Sequence, residues 1–163
     1  MKTAQLAAFF LTCLLGAMPV AAFAQPYVIS ADGTEVTDQQ TGLIWRRCSE
    51  GMKWDGTTCA GVAGRYTHEA AFLHTAAQAS STGIAWRLPN IKELASLVSK
   101  NRILPTIDVT AFPATSTDLW SWSSTPIVGN SSDAAWVFSF TYGNILSAGR
   151  YLSGHVRLVR TGQ

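Results

Sequence analysis

The sequence predicts an α+β domain with an antiparallel sheet, and three observations carry that expectation. Short apolar runs of strand length come first, two segments with helix caps follow, and the remainder returns to strand-like runs. The late runs are joined by short turns such as Tyr142-Gly143-Asn144, which suit hairpins rather than crossover helices. The 163 residues are 47% hydrophobic and 13% charged, with six Trp, seven Phe and four Tyr, which supplies one core and excludes a long disordered chain.

The first residues read as a signal peptide: Lys2, an apolar run from Leu6 to Val20, and Ala22-Phe23-Ala24 as a cleavage site, with cleavage expected after Ala24. The run is too short to span a bilayer, so the expectation is a secreted or periplasmic protein without membrane insertion. Cys13 lacks the preceding small residue of a lipoprotein signal. Losing Lys2 takes twelve basic groups to eleven against ten acidic ones, a mature charge of +1. So even a balance excludes a dedicated nucleic-acid binder.

Residues 25 to 29 form a short leader, and turn residues at 31–34 introduce a first strand at Glu35-Val36-Thr37-Asp38. After the Thr41-Gly42 turn, Leu43-Ile44-Trp45 is a second strand. Cys48 and Cys59 are an even pair in a chain bound for an oxidising compartment, which reads as a disulfide. The Gly-rich segment they bracket, to Gly64, is expected as a surface loop with Trp54 as its own small core. A helix follows over 68–80 with Thr67 as N-cap, and a second begins at Asn90, with Glu93 completing a capping box, and ends near Ser99. Strands are expected around Trp120-Ser121-Trp122, Ala135 to Phe140 and His155 to Val159. No linker or repeat divides residues 25 to 163, so they form one domain.

Chemistry is sparse. The sequence holds no G-x-S-x-G, H-E-x-x-H, G-x-x-x-x-G-K or G-x-G-x-x-G, and the spacing of Cys48, Cys59, His68, His74 and His155 suits no zinc site. No catalytic residue, metal or cofactor is therefore assigned. His68-Glu69 could serve acid–base work, but a Glu in a first helical turn equally suits the helix dipole. Asp108, Asp118, Asn130 and Asp133 are scattered oxygen donors without the density of a calcium loop, and Asn130-Ser131-Ser132 matches a glycosylation acceptor.

The aromatic residues say more. Trp45, Trp86 and Trp136 stand in apolar contexts and read as core. Trp120 and Trp122 share one face of a strand, either buried or a ligand platform. Tyr142, Asn144, Arg150 and Tyr151 lie in a Gly-punctuated loop where rings and polar groups can meet a sugar or a protein. Arg150, Arg157 and Arg160 offer guanidinium groups to sulfate or carboxylate, or form salt bridges.

The motifs line up along the chain: Val36-Thr37-Asp38 to Thr41-Gly42-Leu43-Ile44-Trp45, Cys48 to Cys59, Trp86-Arg87-Leu88-Pro89-Asn90 with Glu93-Leu94, Ile107-Asp108, Phe112-Pro113, Trp122-Ser123-Ser124-Thr125, Ala135-Trp136-Val137, and Val156-Arg157-Leu158-Val159-Arg160. Together these resemble the Lcl C-terminal domain family, named for a bacterial collagen-like adhesin, over about residues 35 to 160. The resemblance implies a C-type-lectin-like fold: two helices flanking antiparallel sheets with a long loop region. The namesake adhesin binds sulfated glycosaminoglycans and host surfaces. This sequence shows no collagen-like stalk, no acidic-asparagine calcium set, and no cysteine pair of the kind found in formylglycine-generating enzymes; Leu158 stands where similar sequences often carry Cys.

The expected function is a non-enzymatic, adhesin-like binding module that recognises a glycan, sulfated chains included, or a surface protein. Trp120, Trp122, Tyr142, Asn144, Arg150 and Tyr151 are the candidate ligand residues. The alternatives are an interaction subunit of an envelope assembly, marked by an exposed apolar patch, and an enzyme in which His68, Glu69 or His155 converges with other polar groups.

Overall fold

The computed structural model describes residues 26–129 and 133–162; the expected signal peptide and the Asn130-Ser131-Ser132 match to a glycosylation acceptor lie outside the described residues. Strands β1 (Tyr27–Ile29), β2 (Glu35–Asp38) and β3 (Leu43–Arg46) form an antiparallel meander closed by the last strand, β9 (Val159–Thr161). β1 occupies residues expected to be a leader. The turn between β2 and β3 is built by buried Asp38, whose carboxylate accepts the Gln40 N–H and the Thr41 hydroxyl. Gly42 completes it at φ 71°, a left-handed conformation that an L side chain resists.

The segment after β3 is more ordered than a loop. Met52–Trp54 (β4) and Cys59–Gly61 (β5) pair as a small hairpin, with the Cys48–Cys59 disulfide anchoring it to the end of β3. Trp54 does not form a separate core; the Arg47 guanidinium lies 3.8 Å from its ring centre.

Helix α1 runs His68–Thr82, with the Thr67 hydroxyl capping Ala70 N–H and Gly83 ending it in a left-handed conformation. Helix α2 covers only Ile91–Ser96, shorter than expected because Val98 leaves the helix to bridge Ile107. Its capping box is formed by Asn90 and Glu93. The second sheet has the order β6 (Ser121–Pro126), β7 (Ala134–Ser139), β8 (Asn144–Gly149). β8 was expected as loop, and the run from His155 contributes only an isolated bridge to Ser121 before β9 begins.

This second sheet separates two apolar layers. Phe138 and Phe140 face a layer with Val36, Trp45, Leu94, Leu97, Ile107 and Phe112. Ala135, Val137 and Ala148 face the other, with Ala71, Trp86, Leu88, Trp122, Val156 and Leu158. Alternation along β7 fills both. The architecture is α+β with antiparallel sheets and two helices.

Candidate functional site

A cleft of about 720 Å³ lies between the first half of α1 and the ends of β6 and β8. Arg150 and Tyr151 line it together with Phe72 and Leu73 of α1, and Thr67, His68, Glu69, Ser124 and Pro126 complete it. Tyr151 is 78% exposed and Leu73 65%. The buried face of α1 is formed by His68, Ala71 and Thr75, so the two large apolar residues Phe72 and Leu73 stand outside it, and that pair was the signal in the sequence for an apolar surface on α1.

Arg150 is held at its backbone. Its N–H donates to Asp133 O, its carbonyl accepts the His68 N–H, and its Nε donates to Ala134 O at 3.2 Å. The rest of its exposed guanidinium faces solvent, where a planar cation can bind an oxygen-rich ligand. His68 is buried and its Nε2 donates to the Ser123 carbonyl at 3.1 Å. Burial pushes its pKa down, the Ser123 hydrogen bond opposes this, and the charge of Arg150 adds to the lowering. The ring is edge-on to Phe72 and Trp122, each 5.0 Å away between centroids, so it links the exposed wall to the core.

The six candidate ligand residues do not form one site. Trp122 is fully buried and donates its Nε1–H to Tyr66 O at 2.7 Å, which corrects its reading as a ligand platform. Trp120 is half-buried against it, and its covered Nε1 has no hydrogen bond among the described residues. Gly154 makes room for both indoles: a Cβ there would come within 2.8 Å of Trp120 Nε1 and 2.9 Å of Trp122 Nε1. Tyr142 stands in the turn before β8 and Asn144 is its first residue, while Arg150 and Tyr151 follow its other end. A strand of that length separates the two pairs by about 20 Å. Only Arg150 and Tyr151 line the cleft.

The other arginines are not a polyanion patch. Arg157 is buried, its guanidinium bonded to Arg47 O, Ser49 Oγ and Thr115 Oγ1, and desolvation lowers its pKa to about 10. Arg160 pairs with Glu35 at 2.6 Å. His155 is buried away from the cleft, with Nδ1 on Gly64 O and Nε2 on Asp118. His74 meets Glu50 at 2.7 Å. Asp108 accepts the N–H groups of Thr110 and Ala111, and among the described residues no three His, Cys, Asp or Glu side chains gather as a metal site would require. Among the described residues no helix is long and apolar enough to cross a membrane.

A second cleft of about 520 Å³ is lined by Trp54, Trp86, Met52, Ile84, Arg46 and Glu35 among others. Trp86 is buried beneath two guanidinium groups, Arg46 at 5.0 Å and Arg160 at 5.6 Å from its ring centre. The Trp45 and Trp86 assignments to the core hold, whereas Trp136 is only half-buried.

Among curated proteins none matches the chain. The family model of the Lcl C-terminal domain matches residues 34–160, from the start of β2 into β9. On that match over most of its length, the chain belongs to the Lcl C-terminal domain family.

Proposed function

We propose that this protein is a secreted or periplasmic, non-enzymatic binding module that recognises a glycan through the cleft between α1 and the end of β8. The observation that carries the reading is that Arg150, Tyr151 and Glu69 line one cleft with exposed Phe72 and Leu73. Rings stack on the apolar faces of sugars, while a guanidinium and a carboxylate bond hydroxyl or sulfate oxygens. His68 is buried with its ring edge-on to both Phe72 and Trp122, which supports a packing role beneath the cleft. The reading of the fold as C-type-lectin-like rests on the family resemblance, and the pairing of β3 with the terminal β9 beside two helices and a long looped region supports it.

A specific observation favours a second reading, a protein-interaction subunit: Phe72, Leu73 and Tyr151 are exposed hydrophobic residues lining the same cleft. The test is binding of the purified chain to neutral and sulfated glycans at low and physiological salt, with Arg150→Ala and Tyr151→Ala alongside. Binding that fades with salt and with Arg150→Ala supports an anionic sugar, and salt-resistant binding lost in Tyr151→Ala supports stacking. No binding under any condition would overturn the glycan reading and favour the protein partner.

A further inference from the structure

We propose that β8 is the pairing edge for a second copy of this chain, and that the two sheets join antiparallel about a two-fold axis at Leu146. β8 is an edge strand of the second sheet, and its six residues pair with β7 without a break in register. Natural edges are protected by shortness, charge, proline or bulges. Asn144 to Gly149 contains no charged residue and no proline, and the strand carries no bulge. The other edges of the two larger sheets are managed: β1 is three residues long, β9 is bridged by Arg87, and the outer edge of β6 is bridged by His155.

Hydrogen bonding alternates along an antiparallel pair. The Arg150 N–H to Asp133 O bond sets the phase, so Asn144, Leu146 and Ala148 bond to β7. The N–H and C=O groups of Ile145 and Ser147 then point away from the sheet. They are placed symmetrically about Leu146, so a second β8 running the other way pairs Ile145 with Ser147 of the second copy and Leu146 with its own counterpart. No other alignment centred on the strand satisfies all four outward groups on each copy as reciprocal pairs.

The apolar layers identify the occupant. Ile145 lies opposite Phe138 and extends the first layer, and Leu146 lies opposite Val137 and extends the second. Both layers stop at the edge, leaving Ile145 46% and Leu146 41% exposed. A ligand strand would have to be apolar on both faces to continue them. A second copy presents just such an edge, with two layers at the same height, and without charge to repel its mate.

The register has a further consequence. Position 150 falls opposite position 142 of the second copy, so pairing places Tyr142 of that copy beside Arg150, at the cleft lined by Arg150 and Tyr151. The halves of the site that β8 separates within one chain would meet across the axis. The pairing itself does not depend on what the cleft binds.

The test is sedimentation equilibrium of the purified chain over about a hundredfold range of concentration, since dimer formation follows mass action. The expected result is a mass rising from one chain toward two, held at one chain by Leu146→Lys. Leu146→Cys, mildly oxidised, should give a covalent dimer, because the two residues would face each other as a close pair. Val128→Cys, at a position 94% exposed and remote from β8 in sequence, serves as control. A single-chain mass throughout, a dimer indifferent to Leu146→Lys, or equal cross-linking of the two cysteine variants would each overturn the proposal.

Discussion

Arg87 and Glu93 meet in two parallel hydrogen bonds of 2.8 and 2.7 Å, and the same carboxylate accepts the backbone N–H of Asn90. One side chain thus caps α2 and fixes the strand-like segment that bridges β9 through Arg87 and Val159. Burial raises the Glu93 pKa, but the Arg87 hydrogen bond, the Asn90 N–H and the Arg87 charge outweigh it, and the carboxyl is held below its usual value. Glu93→Gln keeps the shape and loses the charge, and should cost about 1–2 kcal/mol in urea unfolding at neutral pH. The sign with pH follows from linkage: a depressed carboxyl stabilises above its unfolded pKa of about 4.3 and loses that contribution as pH falls through the folded value. The difference between wild type and Glu93→Gln should therefore shrink in acid.

Arg157 ties the chain after β3 to the segment beyond Phe112. Its guanidinium lies 4.9 Å from the Phe112 ring centre and bonds Arg47 O, Ser49 Oγ and Thr115 Oγ1. Arg157→Met preserves much of the packing but leaves these acceptors without a donor, and should cost about 3 kcal/mol in denaturant unfolding. Arg157→Lys keeps the charge but cannot fork, so it should recover only part of the loss.

These two sites explain which parts of the molecule were legible in the sequence. The family motifs describe the scaffold. Ser123 Oγ bonds Trp136 O, Ser124 N–H bonds Pro89 O and Thr125 Oγ1 accepts the Ile91 N–H, so Trp122-Ser123-Ser124-Thr125 locks onto Leu88-Pro89-Asn90 and the start of α2. Strands with alternating burial and helices with capping residues were readable because their signals are local. β8 was missed because Asn-Ile-Leu-Ser-Ala-Gly has neither alternation nor β-branched density, and it is a strand through its pairing with β7. That omission merged Tyr142 and Asn144 with Arg150 and Tyr151 in one loop. The burial of Trp122 and Arg157 is a tertiary property that residue type alone does not give.

His68 gives a pH-dependent readout of the cleft. Burial and the Arg150 charge lower its pKa against the opposing Ser123 hydrogen bond, so folding favours the neutral ring. The unfolded chain then binds the proton more readily, and this contribution to stability is present above the unfolded pKa of about 6.5 and lost as pH falls through the folded value. Removing the nearby charge in Arg150→Ala should raise the His68 pKa, read from its ring proton shifts in an NMR titration. Glu50→Gln, which perturbs His74 at 2.7 Å, should leave the His68 titration in place.

The cleft and the core should separate cleanly in binding and stability measurements. Tyr151 is 78% exposed, and among the described residues the Arg150 guanidinium has one hydrogen bond, from Nε to Ala134 O. Tyr151→Ala should change unfolding free energy by less than about 0.5 kcal/mol, as surface substitutions generally do. Its effect on binding should be larger: losing an aromatic contact in a recognition site costs about 2 kcal/mol, or roughly thirtyfold in Kd. Trp122 behaves in the opposite way. With no exposed surface and its Nε1–H on Tyr66 O, Trp122→Phe vacates core volume and orphans that carbonyl, so it should lower stability by about 2 kcal/mol or more. If the fold survives, Trp122→Phe should retain affinity under conditions where the variant is fully folded, because no ligand in the cleft reaches that ring. Parallel calorimetry and thermal unfolding of the two variants would show loss of binding with Tyr151 and loss of stability with Trp122; a ligand lost equally in both would place the contact surface elsewhere.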